Sequence, residues 1–163
     1  MDRPRVDPVV ERVREQLAPH GLACRVRELP VDTATVPEAA AALGVEAGQI
    51  AKTLCFLGNQ GAALVVAAGD ARVNQSKLKA ELGWTGKVRL AGPEETLRQT
   101  GFSPGGVCPF GVTVPVLLDQ SLTRYPVVYP AAGSARSAVS LTPEELARVT
   151  GGRPCSVCDL KPT

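Results

Sequence analysis

Ile50-Ala51-Lys52-Thr53-Leu54-Cys55-Phe56-Leu57 runs into Gly58-Asn59-Gln60-Gly61, and then into seven apolar residues from Ala62 to Ala68. Two apolar runs of strand length around a short Gly/Asn turn predict a β-hairpin. On a strand, residues of equal parity share a face. Lys52 therefore shares a face with Ile50, Leu54 and Phe56, and the other face carries Ala51, Thr53, Cys55 and Leu57. A cation among apolar neighbours must find a partner, snorkel to an opening or lower its pKa. Two readings of Lys52 stand at this point: a snorkelling lysine at a strand end, or an ammonium group at the mouth of a cleft awaiting an anionic or carbonyl partner.

The flanking sequence alternates short helices with short strands. Asp7-Pro8 opens a predicted helix reaching Ala18, with Val9, Val10, Val13 and Leu17 at helical spacing and His20-Gly21 closing it. Residues 23–29 alternate charged with small or apolar side chains and predict a half-exposed strand. Thr35 caps an alanine-rich helix that ends at Gly44. Residues 74–82 predict a helix before Gly83, residues 87–90 a short strand, and Pro93-Glu94-Glu95 a helix start running to Thr100. Strands are expected at 114–119, 127–129 and 138–141. Thr142-Pro143-Glu144-Glu145 is a capping-box helix start running to Val149. Strands come singly and in hairpins among short helices. The class is therefore α+β, with a mixed, curled sheet.

Between the helix ending at Thr100 and the strand ending at Asp119 lies Gly101-Phe102-Ser103-Pro104-Gly105-Gly106-Val107-Cys108-Pro109-Phe110-Gly111, with four glycines and two prolines. Glycine lets a ligand approach the main chain, and proline stiffens the path. Such a loop can present amide N–H groups in a fixed array, or it can be a tight connection and nothing more.

At 163 residues, 44% hydrophobic and 21% charged, the chain fits one domain spanning 1–163 with a core of Val, Leu and Ala, since aromatics are only 4%. A formal net charge of +2 is too small to argue for nucleic acid by itself. No apolar run approaches membrane-spanning length and the first residues lack a signal-peptide core, so a cytoplasmic protein with no membrane or DNA partner is expected. Five cysteines without a secretion signal are expected to be reduced. Cys155-Ser156-Val157-Cys158 has CxxC spacing, but there is no second such pair and the one histidine, His20, is far off in sequence. A zinc site needs about four ligands. No metal is expected, and the pair reads as two incidental cysteines.

The lysine strand 50–54, the loop Gly105-Gly106-Val107-Cys108-Pro109, the strand ending at Asp119, the Ala132-Gly133 turn and the helix start Leu141-Thr142-Pro143-Glu144-Glu145-Leu146 occur together and in order. In this the chain resembles the YbaK/EbsC-type aminoacyl-tRNA deacylases, which are related to the editing domain of bacterial prolyl-tRNA synthetase. The resemblance runs over residues 36–160. It implies a mixed, barrel-like sheet flanked by helices. It also implies hydrolysis of the ester that joins a wrong amino acid to the tRNA 3′ end, without a cofactor. The family's essential lysine corresponds to Lys52, and its G-x-x-x-P substrate loop runs from Gly105 to Pro109. Gly105, Gly106, Val107, Cys108, Pro109 and Gly133 become candidate substrate-binding residues. The amides of Gly105, Gly106 and Val107 become candidate donors to the ester oxygen, and a side chain at Gly106 is expected to cost turnover more than stability. The matched motifs contain no clear general base. Positioned water, substrate hydroxyls or a cysteinyl substrate's own thiol could serve.

Cys108 admits a rival reading as the nucleophile of a cysteine hydrolase, but such a thiol needs a base or a positive environment. Otherwise it is a small side chain lining the pocket. Arg72, Lys77, Lys79, Lys87 and Arg89 form a modestly basic region. By itself this reads as a solvated face. Under the resemblance Arg72, Lys77 and Lys79 become candidate contacts to tRNA phosphates, with selectivity borrowed from a synthetase partner. The alternative from another class is a non-catalytic amino-acid or nucleotide binding module on the same scaffold. The resemblance implies a small amino acid on proline tRNA, with alanine, cysteine and other small amino acids as candidates.

Overall fold

The structure, a computed structural model, describes residues 7–160. Its centre is the expected hairpin. Strand β2 (Ile50–Gly58) pairs antiparallel with β3 (Gly61–Ala68), Gly58 facing Gly61 and Lys52 facing Ala67. Residues 63–68 are fully buried, because β3 lies inside the sheet and is covered on both faces. Beyond β3 come β6 (Val116–Asp119) and β9 (Arg153–Cys155), both added in parallel. Pro154 is tolerated in β9 because that strand closes one end of the sheet. On the far side of β2, β5 (Arg89–Leu90) pairs with its end and β7 (Tyr129–Pro130) with its start. Two small ribbons complete the mixed α+β fold: β1 (Val26–Glu28) with β8 (Ser137–Val139), and β4 (Ala71–Val73) with β10 (Cys158–Leu160). The sheet is curled and is not a closed barrel.

The helices start and stop on local chemistry. In α1 (Pro8–Leu17) the Asp7 carboxylate accepts from the Val9 N–H at 2.9 Å, and Val10, Val13 and Leu17 are buried. Helix α2 (Val36–Leu43) has Thr35 accepting from Glu38 N–H, and it ends at Gly44 with φ +70°. Helix α3 (Gln75–Leu82) is capped by Asn74, whose side chain accepts from Lys77 N–H. Helix α4 covers Pro93–Thr100. Helix α5 (Pro143–Thr150) carries the reciprocal box, with Glu145 N–H on Thr142 Oγ1 at 3.0 Å and Thr142 N–H on Glu145 Oε1 at 2.9 Å. Each such cap satisfies donors that a helix end leaves unpaired, at about 1 kcal/mol.

The sheet separates two apolar clusters. One face carries Ala51, Cys55, Leu64 and Val66 against α1, α5, Phe102 and Phe110. The other carries Leu54, Phe56, Val65 and Ala67 against Leu78 of α3, Val88 and Val157. The parity reading of β2 is thus realised.

Elsewhere the sequence reading needs correction. The strand expected at 23–29 is a 3-10 turn over Ala23–Arg25 followed by the three residues of β1. The strand expected at 127–129 begins only at Tyr129, with Val128 making a single bridge to Leu141. Strands β4, β9 and β10 were not anticipated, because three residues are too few to show alternation.

Candidate active site

Strand β2 has one edge fully paired and one edge interrupted. β5 takes Phe56 and Leu57, and β7 takes Ile50 and Ala51. The stretch between faces a cavity of about 430 Å³, within the range of roughly 300–1,000 Å³ usual for small-molecule sites. Helix α2 contributes Val36, Ala39 and Leu43 to it, α4 contributes Pro93 and Thr96, and the glycine loop contributes Pro104, Gly105 and Val107. The lining is mostly apolar, with few polar groups.

Lys52 lines this cavity, half-buried. Its ammonium donates to the carbonyl of Ala71, the first residue of β4, at 2.5 Å and to that of Gly69, in the connection from β3, at 3.4 Å. The cation is thus held by backbone dipoles at the sheet's rim while its stem crosses apolar surface. Between those two carbonyls in sequence is Asp70. The Arg124 guanidinium bound to it holds its carboxyl below the usual carboxylate range, and the Lys52 charge adds to this.

Thr53 also lines the cavity, and its hydroxyl is buried without a hydrogen-bond partner. Its backbone points the same way. Cys55, two residues on, turns its carbonyl away from β3 to accept from Ala91 N–H at 2.8 Å. The two-residue repeat of an antiparallel ladder directs the N–H and C=O of Thr53 toward the same open edge. An unpaired buried hydroxyl costs about 1–3 kcal/mol, so this position favours a ligand that hydrogen-bonds. Sequence reasoning passed over Thr53 because it sits on the parity opposite to Lys52. The interrupted pairing of β2 that exposes it is a tertiary feature with no local signal.

The glycine loop divides. Gly105 (φ +87°) and Val107 face the cavity. Gly106, Cys108, Pro109 and Gly133 lie behind it and do not line it. The Gly106 N–H is committed to the carbonyl of Ser103 at 3.0 Å, which removes it from the expected set of donors. A Cβ on Gly106 would lie 2.6 Å from the carbonyl carbon and oxygen of Gly133 and 2.7 Å from Ser134 Cα. Gly133 in turn (φ +101°) abuts α1, where a Cβ would meet Val9 Cγ1 at 2.9 Å. These two glycines let the loop pack on the main chain of the 131–134 turn, and that turn pack on Val9 and Val13 of α1.

Cys108 is fully buried in the core beside Phe110, and burial pushes its thiol up to about 12. It is neither a pocket-lining side chain nor a thiolate at neutral pH. His20 is not among the residues lining the cavity. Cys55 does line it, but burial raises that thiol as well, with the Glu95 charge adding. Two results are expected for Cys108. Cys108→Ala keeps turnover within about threefold and loses on the order of 1–2 kcal/mol of stability. Alkylation of the native protein at neutral pH, read by peptide mass, labels exposed Cys24 and spares Cys108.

The remaining candidates lie outside the cavity. Arg72 is exposed on β4, immediately after the Ala71 carbonyl that holds Lys52. Lys77 is exposed but pairs with Asp159 at 2.8 Å, and that carboxylate raises its pKa. Lys79 is half-buried on α3. Cys155 and Cys158 stand on β9 and β10 with thiols pushed up to about 11 and about 12 by burial, the Asp119 charge adding to both. No helix among the described residues is long and apolar enough to cross a membrane.

Residues 31–149 match the model of the aminoacyl-tRNA editing domain. The chain is 46% identical over 124 residues to an uncharacterised protein, YwhH, of Bacillus subtilis strain 168, covering 74% of this chain and 78% of that one. It is 38% identical over 88 residues to the proline–tRNA ligase of Thermotoga maritima, covering 54% of this chain and 15% of the ligase. Among solved structures, one described as a candidate trans-editing enzyme for prolyl tRNA synthetase superposes with a TM-score of 0.86 at 39% identity, over 95% of this chain and 99% of the other. On these matches the chain belongs to the aminoacyl-tRNA editing domain family, on its YbaK/EbsC-type branch.

Proposed function

We propose that the protein is a free-standing trans-editing deacylase that hydrolyses the ester of a small amino acid misplaced on proline tRNA. The observation that carries this reading is that Lys52, Gly105 and Val107 line one cavity at the open edge of β2. The aminoacyl 3′ end enters that cavity. Lys52 anchors the terminal nucleotide or the ester carbonyl electrostatically. Amides of Gly105 and Val107 receive charge on the carbonyl oxygen, and each such donor contributes about 3 kcal/mol to lowering the barrier. Water adds to the carbonyl carbon and the ribose oxygen departs with a proton. The amino acid and the free tRNA 3′ end are the products.

The apolar lining from Val36, Ala39 and Ile50 favours a small side chain, and the buried Thr53 hydroxyl favours a hydrogen-bonding group close to it. Arg72 and Lys79 are the remaining candidates for contacts to tRNA phosphates, Lys77 being engaged by Asp159. A prolyl-tRNA synthetase in the cytoplasm is the partner that would supply tRNA selectivity.

The test is release of radiolabelled amino acid from a panel of mischarged tRNAs. Hydrolysis of alanyl- or cysteinyl-tRNA for proline, with correctly charged prolyl-tRNA spared, is the expected outcome. Binding of aminoacyl-adenosine analogues with no hydrolysis of any member of the panel would instead establish a non-catalytic binding module.

A further inference from the structure

We propose that the ion pair between Asp70 and Arg124, outside the cavity, is the positioning device for Lys52. This rests on the reading of Lys52 as the substrate anchor. The ammonium of Lys52 is held by the carbonyls of Gly69 and Ala71, the two residues flanking Asp70. What fixes those carbonyls fixes the cation. The Asp70 carboxylate is gripped on both oxygens by the Arg124 fork, Nη1 on Oδ2 at 3.0 Å and Nη2 on Oδ1 at 2.5 Å. Two parallel charge-assisted bonds set direction as well as distance.

Arg124 is itself fixed at three points. Its Nε donates to the Ser121 carbonyl at 2.9 Å, its guanidinium lies 5.1 Å from the centre of the Tyr125 ring, and it closes the 3-10 turn Gln120–Arg124 that follows β6. That turn is tied to the sheet, because Ser121 Oγ accepts from Ala68 N–H at 3.1 Å and Ser121 N–H donates to buried Asp119. On its other side the connection is wedged, since a Cβ on Gly69 would lie 2.2 Å from the Ala47 carbonyl oxygen. The two carbonyls that hold Lys52 are thus clamped between the 47–49 turn and the Arg124 fork. Neither Asp70 nor Arg124 lines the cavity, and both side chains are about one-third exposed, at 36% and 34%. Their role is to act through Lys52.

Charge gives the pair a second effect. Asp70 is close enough to Lys52 for the ammonium to stabilise its carboxylate, yet the carboxylate is committed to Arg124. Arg124 therefore sets how much of the Asp70 charge Lys52 feels.

Two readouts on Asp70→Asn, Arg124→Gln and the double variant test this: turnover on a mischarged tRNA, and the rate at which an acid anhydride acylates Lys52, measured by peptide mass. Acylation requires the neutral amine and does not depend on deacylation. Both single variants should lose about tenfold in kcat with KM changed less, and the double variant should be no worse than Asp70→Asn. Lys52 should acylate faster in Asp70→Asn, which removes a nearby negative charge, and slower in Arg124→Gln, which frees the carboxylate to pair with it.

Folded single variants with wild-type acylation and wild-type turnover would overturn the proposal. Opposite shifts in acylation with a wild type that hydrolyses no mischarged tRNA would leave the device standing and remove the deacylase reading. Should Asp70→Asn not fold, Arg124→Lys carries the test. It keeps the charge and loses the fork, so wild-type turnover in that folded variant overturns the proposal too.

Discussion

Lys52→Ala lowers hydrolysis of a mischarged tRNA by about a hundredfold to a thousandfold, the usual effect of deleting a preorganised electrostatic contact at a reacting centre. The fold should survive it. The side chain is half-buried and its ammonium contacts two backbone carbonyls at the rim of the sheet, outside the apolar clusters. Losing the stem and those contacts costs on the order of 1–2 kcal/mol, and thermal unfolding measured beside turnover on the same preparation separates the two effects. Near-wild-type rates in a folded variant would remove Lys52 from the mechanism.

Gly106→Val has the second large effect, and it falls on stability. Read as a surface loop, this position was expected to lose turnover while keeping its melting temperature. The structure reverses that order. A side chain there would be driven into the main chain of Gly133 and Ser134 at 2.6–2.7 Å, and backbone cannot swing aside as a flexible side chain can. Behind Gly133 lies α1, with Val9 and Val13 already in contact. A loss of about 3 kcal/mol or more is expected, at the upper end of overpacking, which for a chain of this size lowers the midpoint by roughly 6–12 °C. Gly105→Ala is the contrast. Its Cβ would meet the methyls of Ala135 and Ala34 at 3.2 and 3.3 Å and the Ala34 Cα at an ordinary 3.6 Å, so its cost is chiefly the left-handed backbone (φ +87°), about 1 kcal/mol. Thermal melts of the two variants should differ by several degrees; equal midpoints would contradict this division of the loop.

Legibility in the sequence followed the range of the interactions involved. The caps at Thr35 and Thr142 were readable because each bonds to an N–H three residues away. The β2–β3 hairpin was readable because its turn and both strands are contiguous. Lys52 stood out as one cation on an apolar strand. By contrast, β4 and β10 are three-residue strands whose pairing joins segments more than eighty residues apart. Nothing local announces them, yet β4 begins with the carbonyl that holds Lys52. The loop at 101–111 showed its composition but not its orientation. Glycine spacing alone could not tell that Gly105 faces the cavity while Gly106 and Cys108 face the core. Thr53 was hidden for the same reason, since its importance comes from the gap that β5 and β7 leave along β2.

The claim on which all of this depends is that the cavity beside Lys52 receives the aminoacylated 3′ end. Backbone-amide NMR with a non-hydrolysable 3′-aminoacylamido-adenosine tests it most directly, because it reports place without requiring turnover. Saturable shifts are expected at Lys52, Thr53, Gly105 and Val107, weakened in Lys52→Ala. Shifts confined to the apolar hollow between β6, β9 and α5, around Leu122 and Leu146, with none at Lys52 or Thr53, would contradict it.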